Sequence, residues 1–395
     1  MTSIRTSIRA AAGLLALLLL TACANTSSPT ETTSPFNELQ ADAPGVGVGE
    51  TQPQEKETEP IVTPEIADPA DAVDPASAVD PAEIIDPVET IAPVAQPADG
   101  NADFYPNGLF IYGDAVYTQA YYAETNINSF ALTAQYYAQL FGSRSSVVIA
   151  PLSSMTINNE KVNSMIPDQG EIFAKMKTAF DPSVNFVDSY AKLYEHRGEY
   201  LFFRTDHHWT QLGAYYAYTA FAESMGWTPT PLSSFTHAVI NDNYAGSMYD
   251  WTKNERVKSF KDQLEVYYPP KAASMTVVTQ QGETLYYDGV IANNNVTYVT
   301  FIAGDNPYTY INVPDNPQDL SCLVMKDSFG NAFVPFLCEH YGNIVVVDAR
   351  FVTENLYDKL YWYGFSDIIF VNNIEAANSN EWPRIYMSAV GVEIP

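Results

Sequence analysis

The stretch LSCLVMKDSFGNAFVPFL, residues 320–337, decides the fold expected for this chain. It begins with a continuous apolar run, which is typical of a strand buried on both faces of a sheet. A helical pattern follows directly, from residue 328 to residue 337. Ser328 stands at the junction, where α/β proteins place ligands and reactive groups. The stretch therefore predicts an α/β sheet with a functional site at one edge.

Further apolar runs predict the other strands of this sheet. They are SVVIA (146–150), YLFF (200–203), IVVVD (344–348) and IIFV (368–371). Helical patterns separate them, at residues 130–141, 171–180, 210–225 and 355–362. Because continuous apolar strands alternate with helices, we expect a parallel sheet covered by helices on both faces.

Residues 228–318 interrupt this alternation. Turn-forming residues there separate short β-like pieces at 264–268, 275–279 and 297–302. Short strands between turns are typical of antiparallel structure. We therefore expect a strand-rich insertion or lid beside the sheet.

The first 22 residues have the pattern of an export signal. Arg5 and Arg9 precede an apolar run that is too short to span a bilayer comfortably. The ending Leu-Thr-Ala-Cys, residues 20–23, resembles a bacterial lipobox, which implies cleavage before Cys23 and lipidation of its thiol. Two acyl chains give stable anchoring, so we expect an extracytoplasmic, membrane-anchored lipoprotein. A secreted protein without lipid is the alternative.

Residues 23–102 are rich in Pro, Glu, Thr, Ala and Asp and contain almost no aromatic residues. Such a composition cannot bury enough apolar surface to offset the entropy of ordering, so it predicts a disordered, acidic, Pro-rich linker. Asp-Pro recurs at Asp68, Asp74, Asp80 and Asp86, which favours an extended stalk. A tether without a required length is the alternative. The folded domain is expected at residues 103–395.

Charge and cysteine content limit the class of protein. The formal net charge of -28 disfavours binding to nucleic acid, because like charges repel at the surface. Beyond Cys23 only Cys322 and Cys338 remain, both in apolar surroundings, so the chain is not a disulfide scaffold. A disulfide between them and two buried thiols both remain open.

A second polar loop, Thr205-Asp206-His207-His208-Trp209-Thr210, follows the strand predicted at 200–203. The Asp206 carboxylate could orient the His208 imidazole for a Ser328 nucleophile, while helix amides stabilise an oxyanion. Alternatives are an ordinary helix cap at Ser328 and a structural loop. Metal ligation by the loop is a further alternative, but no zinc-like spacing appears. We predict no metal and no cofactor.

The loop also carries a family resemblance. Residues 204–210, followed by LGAYY (212–216), resemble the signature of the DHHW protein family. Supporting matches, in chain order, are FIAGDNP (301–307), KDSF (326–329), FVPFL (333–337) and VDAR (347–350). That family is similar to the SGNH hydrolase-like domains of alginate O-acetyltransferases, in which an Asp-x-His-Trp loop precedes the serine. The resemblance implies a three-layer, SGNH hydrolase-like α/β fold, here with the strand-rich insertion and the preceding stalk.

The resemblance implies roles for single residues. Ser328 would be the nucleophile, His208 its general base and Asp206 the orienting carboxylate. His207 would hydrogen-bond the loop or the substrate. The counterparts for the oxyanion hole or substrate contacts are Arg350, Asn372, Asn373 and Asn306. No glycine stands near Arg350, where SGNH enzymes contribute one.

These roles imply an extracytoplasmic, serine-dependent O-acetyltransferase or O-acyl esterase that acts on a cell-envelope or exported polysaccharide. A transferase would need an acyl supply, for which a membrane-bound acyltransferase is the expected partner. The alternative is a non-catalytic envelope-binding or scaffolding lipoprotein on the same fold.

Overall fold

A computed structural model describes residues 94–293 and 295–394. The predicted signal peptide, the predicted lipidation site Cys23 and most of the predicted linker lie outside these ranges. Within them, no helix combines the length and the apolar character that crossing a membrane requires.

The described chain alternates strands and helices over most of its length. The strands are β1 (Asp103–Phe104), β2 (Leu109–Tyr112), β3 (Ala115–Thr118), β4 (Arg144–Ala150), β5 (Val184–Val187), β6 (Thr236–Tyr244), β7 (Asp262–Tyr268), β8 (Ser274–Val278), β9 (Thr284–Asp288), β10 (Tyr308–Asn312), β11 (Ser321–Lys326), β12 (Asn343–Val347) and β13 (Asp367–Asn373). The α-helices are α1 (Glu124–Phe141), α2 (Glu160–Asn163), α3 (Gln169–Ala179), α4 (Ser189–Glu195), α5 (Gln211–Ser224), α6 (Met248–Thr252), α7 (Gly330–Leu337), α8 (Leu356–Leu360), α9 (Ile374–Asn378) and α10 (Glu381–Ala389).

The central sheet has eight strands in the order β5-β4-β13-β11-β12-β10-β8-β9. The first five are parallel, as the sequence predicts, and the last three run antiparallel. The predicted parallel sheet is therefore found in five of the eight strands, and the whole sheet is mixed because the other three are antiparallel. The antiparallel strands come from residues 274–312, within the predicted insertion 228–318. A short turn joins β8 to β9, and residues 289–307 join β9 to β10, so these strands extend the sheet at one side without a crossover α-helix.

Both faces of the sheet are covered by helices. Val148 and Val324 point to one face, where they join a buried cluster with residues of α5 and α7. Their chain neighbours Val147 and Leu323 point to the other face, where α1, α3 and α10 pack. This alternation is the strand periodicity of two, and it explains why the strands read as continuous apolar runs.

Two segments predicted as strands have other structures. Residues 200–203 form no strand of the sheet. Their backbone instead closes a tight loop, in which Phe203 N donates to His208 O and Thr210 N donates to Leu201 O. The aromatic side chains of this loop fill the core, which gives the apolar pattern of a strand. Residues 297–302 contain a short 3-10 helix, Tyr298–Thr300.

Two smaller sheets complete the fold. Strands β6 and β7 form an antiparallel ribbon with irregular register, and β1, β2 and β3 form a three-stranded sheet. Residues 94–102, which the sequence assigns to the end of the linker, contact the folded domain. The Gln96 amide donates to the Thr156 carbonyl at 3.0 Å, and Val94 and Ala102 pack against a buried cluster to which β2 and β3 contribute.

Cys322 and Cys338 are both free and buried. Burial raises the pKa of each thiol, well above its usual value for Cys322 and to about 12 for Cys338. Thiols with raised pKa values are poor nucleophiles, so neither is a candidate reactive group.

Candidate functional site

Two loops meet at the carboxyl end of the parallel strands. One is the loop 204–210 that leads into α5, and the other joins β11 to α7. Asp327 fixes the second loop, because its carboxylate accepts the backbone N–H of Phe329 at 2.9 Å and that of Asn373 at 2.7 Å. Asn373 ends the neighbouring strand β13, so the chain around Ser328 is tied to the sheet edge. Burial raises the pKa of Asp327 to about 6.

Ser328, His208 and Asp206 form a continuous hydrogen-bonded chain. His208 Nε2 lies 2.7 Å from Ser328 Oγ, and His208 Nδ1 lies 2.6 Å from Asp206 Oδ1. Ser328 is partly exposed, whereas His208 and Asp206 are buried. This is the connectivity of a nucleophile, a base and an orienting carboxylate.

The Asp206 carboxylate is held on both oxygens. Oδ1 accepts from the backbone and the ring of His208, and Oδ2 accepts from the Tyr244 hydroxyl at 2.9 Å. Burial alone would raise the pKa of Asp206, but the charge and hydrogen bonds of His208 outweigh burial and hold that pKa below its usual range. Asp206 is therefore ionised at neutral pH and can stabilise a protonated imidazole.

His207 lies against the site, with its Nδ1 3.4 Å from Ser247 Oγ and 3.6 Å from Asp206 Oδ1. Its ring centroid is 3.8 Å from that of His208 and 4.9 Å from that of Trp251. Burial lowers the pKa of His207 to about 3, and the adjacent His208 acts in the same direction. His207 is therefore a neutral ring at physiological pH.

A network of four charged side chains, of which Lys326 and Asp348 are buried, lies next to the loop that carries Ser328. Lys326 Nζ lies 2.8 Å from Asp305 and 3.4 Å from Asp348, and Arg350 pairs with the same two carboxylates at 2.9 and 2.6 Å. Burial favours the neutral form of Asp305, but the charges of Lys326 and Arg350 dominate and hold its pKa below the usual range. Arg350, predicted as an oxyanion or substrate contact, is thus an anchored member of this network, with its side chain 19% exposed.

The predicted asparagines have partners away from Ser328. The Asn306 amide donates to the Ala303 carbonyl at 2.9 Å. The Asn373 side chain caps α9 by accepting from Ala376 N at 2.6 Å. Asn372 is fully buried, and its side-chain oxygen accepts from Tyr386 at 2.9 Å. The structure does not hydrogen-bond any of the three to the Ser328 side chain.

Asp206, His207 and His208 could in principle share a cation, because their ligand atoms lie within 4.8 Å of one another. Both ring nitrogens of His208 are, however, already paired with Asp206 and Ser328. Binding a metal there would require breaking the hydrogen-bonded chain.

Several residues of the site could not be found from the sequence. Tyr244 and Asp262 lie in the irregular ribbon, and Tyr298 lies in the segment predicted as a strand. None belongs to a recognisable motif. Asp327 had a local signal, since Asp-Ser before a helix is typical of a cap, and its carboxylate accepts the backbone N–H of Phe329.

The fold and site together define a mixed α/β protein with a Ser–His–Asp chain of side chains at the sheet edge. Residues 65–347 match the sequence profile of the DHHW protein family, and the chain belongs to that family.

Two solved structures have folds similar to that of this chain. A DHHW family protein from Eubacterium siraeum superimposes with a TM-score of 0.65 at 23% identity, over 75% of this chain and 98% of that one. Bacillus cereus PatB1, in a structure with a sulfonyl adduct, gives 0.58 at 16% identity, over 70% of this chain and 96% of that one. The O-acetyltransferase domain of Pseudomonas putida AlgJ gives only 0.33 at 15% identity, over 67% and 88%, too low to establish a shared fold. A comparison with curated proteins found no match.

Proposed function

We propose that this protein is a serine-dependent O-acetyltransferase or O-acyl esterase that acts outside the cell on a cell-envelope or exported polysaccharide. The observation that carries the proposal is the pair of contacts made by His208, 2.7 Å to Ser328 Oγ and 2.6 Å to Asp206 Oδ1. General bases act on hydroxyl groups at this distance.

The first half-reaction would transfer the acyl group to the protein. Ser328 Oγ attacks the carbonyl carbon of an acetyl ester while its proton moves to His208 Nε2. Asp206, which is ionised, stabilises the imidazolium that forms. The tetrahedral intermediate collapses, His208 returns the proton to the departing alcohol oxygen, and an acetyl-serine remains.

The second half-reaction would remove the acyl group. Water or a sugar hydroxyl gives its proton to His208 and attacks the acetyl-serine, and His208 then returns the proton to Ser328 Oγ. Water as the acceptor makes the protein an esterase, and a sugar hydroxyl makes it a transferase. The chemistry of the three residues is the same in both cases.

A negatively charged oxygen forms in both steps and needs donors. Within the described ranges no acceptor pairs with the backbone N–H of Ser328, so this donor is available to the intermediate. The asparagine side chains at 306 and 373 already donate or accept elsewhere. We therefore assign the Ser328 amide as the first oxyanion donor.

The sulfonyl adduct of the similarly folded PatB1 supports the proposal. Sulfonyl electrophiles react with activated nucleophiles, and a serine paired with a histidine is one. The same probe chemistry can therefore be applied to Ser328.

The location and partners belong to the same proposal. Lipidation of Cys23 would hold the domain at the outer face of a membrane, within reach of envelope polysaccharide, and a membrane-bound acyltransferase would supply acetyl groups to a transferase. Metabolic labelling with a fatty-acid probe, compared between the parent and Cys23→Ala, tests the anchor. A parent that incorporates no label would exclude it.

The test of the chemistry uses a fluorescent sulfonyl fluoride and an aryl acetate. We expect covalent labelling at Ser328 and turnover of the ester, both lost about a thousandfold or more in Ser328→Ala. Ser164→Ala, which changes an exposed serine, is the control and should react like the parent. Adding sugar oligomers and following the acetyl group by mass spectrometry separates esterase from transferase. Equal labelling of Ser328→Ala and the parent would remove the proposed nucleophile.

A further inference from the structure

The ribbon β6–β7 reaches the loop that carries Asp206 and His208. Tyr244, the last residue of β6, and Asp262, the first residue of β7, are cross-strand partners in this ribbon. Both side chains reach the loop, although neither belongs to the Ser–His–Asp chain.

Asp262 is fully buried, and its carboxylate accepts from two neighbouring residues of the loop. Oδ1 accepts the backbone N–H of Arg204 at 2.8 Å. Oδ2 accepts the backbone N–H of Thr205 at 2.8 Å and its hydroxyl at 2.5 Å. The Tyr200 hydroxyl also donates to Oδ1, at 2.6 Å. Two adjacent backbone amides on one carboxylate fix the direction of the chain immediately before Asp206.

Tyr244 and the residues that follow β6 contact the same loop. The Tyr244 hydroxyl donates to Asp206 Oδ2 at 2.9 Å. Gly246 N donates to the Thr205 hydroxyl at 3.0 Å, and Met248 N donates to the Thr205 carbonyl at 2.9 Å. The position and the plane of the Asp206 carboxylate are thus determined by the ribbon as well as by its own loop.

We infer that Asp262 and Tyr244 are positioning residues that set the Asp206 carboxylate for its bond to His208. The inference rests on the proposed function for its catalytic consequence, but the hydrogen bond between Asp206 and His208 can be measured without turnover. Asp262 acts through the loop backbone and does not touch the reacting atoms. Tyr244 acts directly on the carboxylate.

A buried carboxylate elsewhere in the fold provides a matched control. Asp367 is 1% exposed and accepts from Tyr341 at 3.0 Å and from Arg144 at 2.9 Å. Asp367 begins β13, so it lies at the amino end of the parallel strands, whereas the site lies at their carboxyl end. Asp367→Asn therefore reports the general cost of changing a buried, hydrogen-bonded carboxylate.

The first experiment observes the Nδ1 proton of His208 in the full chain labelled with ¹⁵N-histidine. The parent should show a far-downfield proton that disappears in Asp206→Asn. We expect that signal to shift upfield or broaden in Asp262→Asn and to stay in place in Asp367→Asn. Tyr244→Phe, which keeps the aromatic ring, should shift it too and remains informative if Asp262→Asn does not fold. A parent without the signal, or an unchanged signal in Asp262→Asn or Tyr244→Phe, would overturn the inference.

The second experiment measures the rate of Ser328 labelling in a double-mutant cycle. Asp262→Asn should slow labelling by about 10- to 100-fold, because even a small misplacement of the base lowers the reaction rate strongly. In the Asp206→Asn background the same change should alter the labelling rate by less than about twofold, since the carboxylate through which Asp262 acts is absent. Equal losses in both backgrounds would show a general structural effect and overturn the inference. If Ser328 is unreactive in a parent that shows the downfield proton, the proposed function fails and the positioning role survives.

Discussion

The imidazole of His208 lies flat against the phenol ring of Tyr298, with centroids 3.8 Å apart and planes inclined by 10°. The stack covers one face of the imidazole, while Ser328 and Asp206 hold its two nitrogens. The ring is therefore limited to one orientation.

Replacing Tyr298 by phenylalanine keeps this stack, and replacing it by alanine removes it. We expect Tyr298→Phe to label within about threefold of the parent and Tyr298→Ala to label at least tenfold more slowly. The alanine variant should also lose about 3 kcal/mol of unfolding free energy, since it opens a cavity. Labelling rates and urea unfolding curves measure the two effects. A Tyr298→Ala protein that is destabilised but fully reactive would assign the ring to packing alone.

Gly246 packs directly on the backbone and side chain of Asp206. A Cβ added there would overlap the Cα and Cβ atoms of Asp206. Gly246→Ala should therefore push the carboxylate away from His208, slow labelling of Ser328 by at least about tenfold and cost about 1–3 kcal/mol. Gly198→Ala is the control, because a Cβ at Gly198 meets no heavy atom within 4 Å. Similar rates for the two variants would contradict the close packing.

His207 makes stability depend on pH. Its pKa is lowered to about 3 in the folded protein, by burial first, and lies near 6.5 in an unfolded chain. The neutral form is thus favoured by folding, so the contribution is complete above pH 6.5 and is lost as the pH falls toward 3. The slope is at most about 1.4 kcal/mol per pH unit. Urea unfolding at pH 7.5, 5.5 and 4.5 should show a steeper loss for the parent than for His207→Asn. Parallel curves would rule out His207 as the source.

Glu375 makes stability depend on pH in the opposite direction. It is buried, and burial followed by the nearby Asp327 raises its pKa to about 8. The folded state keeps the proton that an unfolded glutamate releases near pH 4.5, so stability falls as the pH rises between about 4.5 and 8. The unfolding free energy of Glu375→Gln should equal that of the parent near pH 4.5 and exceed it by about a few kcal/mol above pH 8. Glu283→Gln, at an exposed position, is the control. A constant difference across this range would contradict the assignment.

The sequence predicts the strands and helices whose patterns arise locally. Residues 320–337 are the best example, because β11 and α7 carry continuous apolar and helical patterns. The secondary-structure predictions are wrong where tertiary contacts determine the local conformation. The segment 200–203 is apolar because its aromatic side chains fill the core around a loop, and periodicity cannot distinguish this from a strand.

The residues of the candidate site also differ in whether the sequence predicts them. Asp206, His208 and Ser328 could be named because each stands in a short motif, and the structure brings their side chains together. Tyr244 and Asp262 could not, because their relation to the loop depends on how the ribbon docks, and an isolated tyrosine or aspartate in a turn-rich segment has no signal.

Lys326 provides a final prediction, since a lysine at the end of a buried strand is unusual unless it is paired. Its side chain is 1% exposed and runs beneath Gly330, where an added Cβ would lie 2.6 Å from Lys326 Cβ. Lys326→Met would leave the carboxylates of Asp305 and Asp348 with one cation instead of two, and should cost about 3–5 kcal/mol. Lys258→Met, which breaks an exposed pair with Glu255, should leave the unfolding midpoint unchanged. The double variant Lys326→Met with Asp305→Asn should recover part of the loss, because Asp348 then no longer shares Arg350 with a second carboxylate. Unfolding curves that show no recovery would mean that Lys326 acts by packing beneath Gly330 and not by its charge.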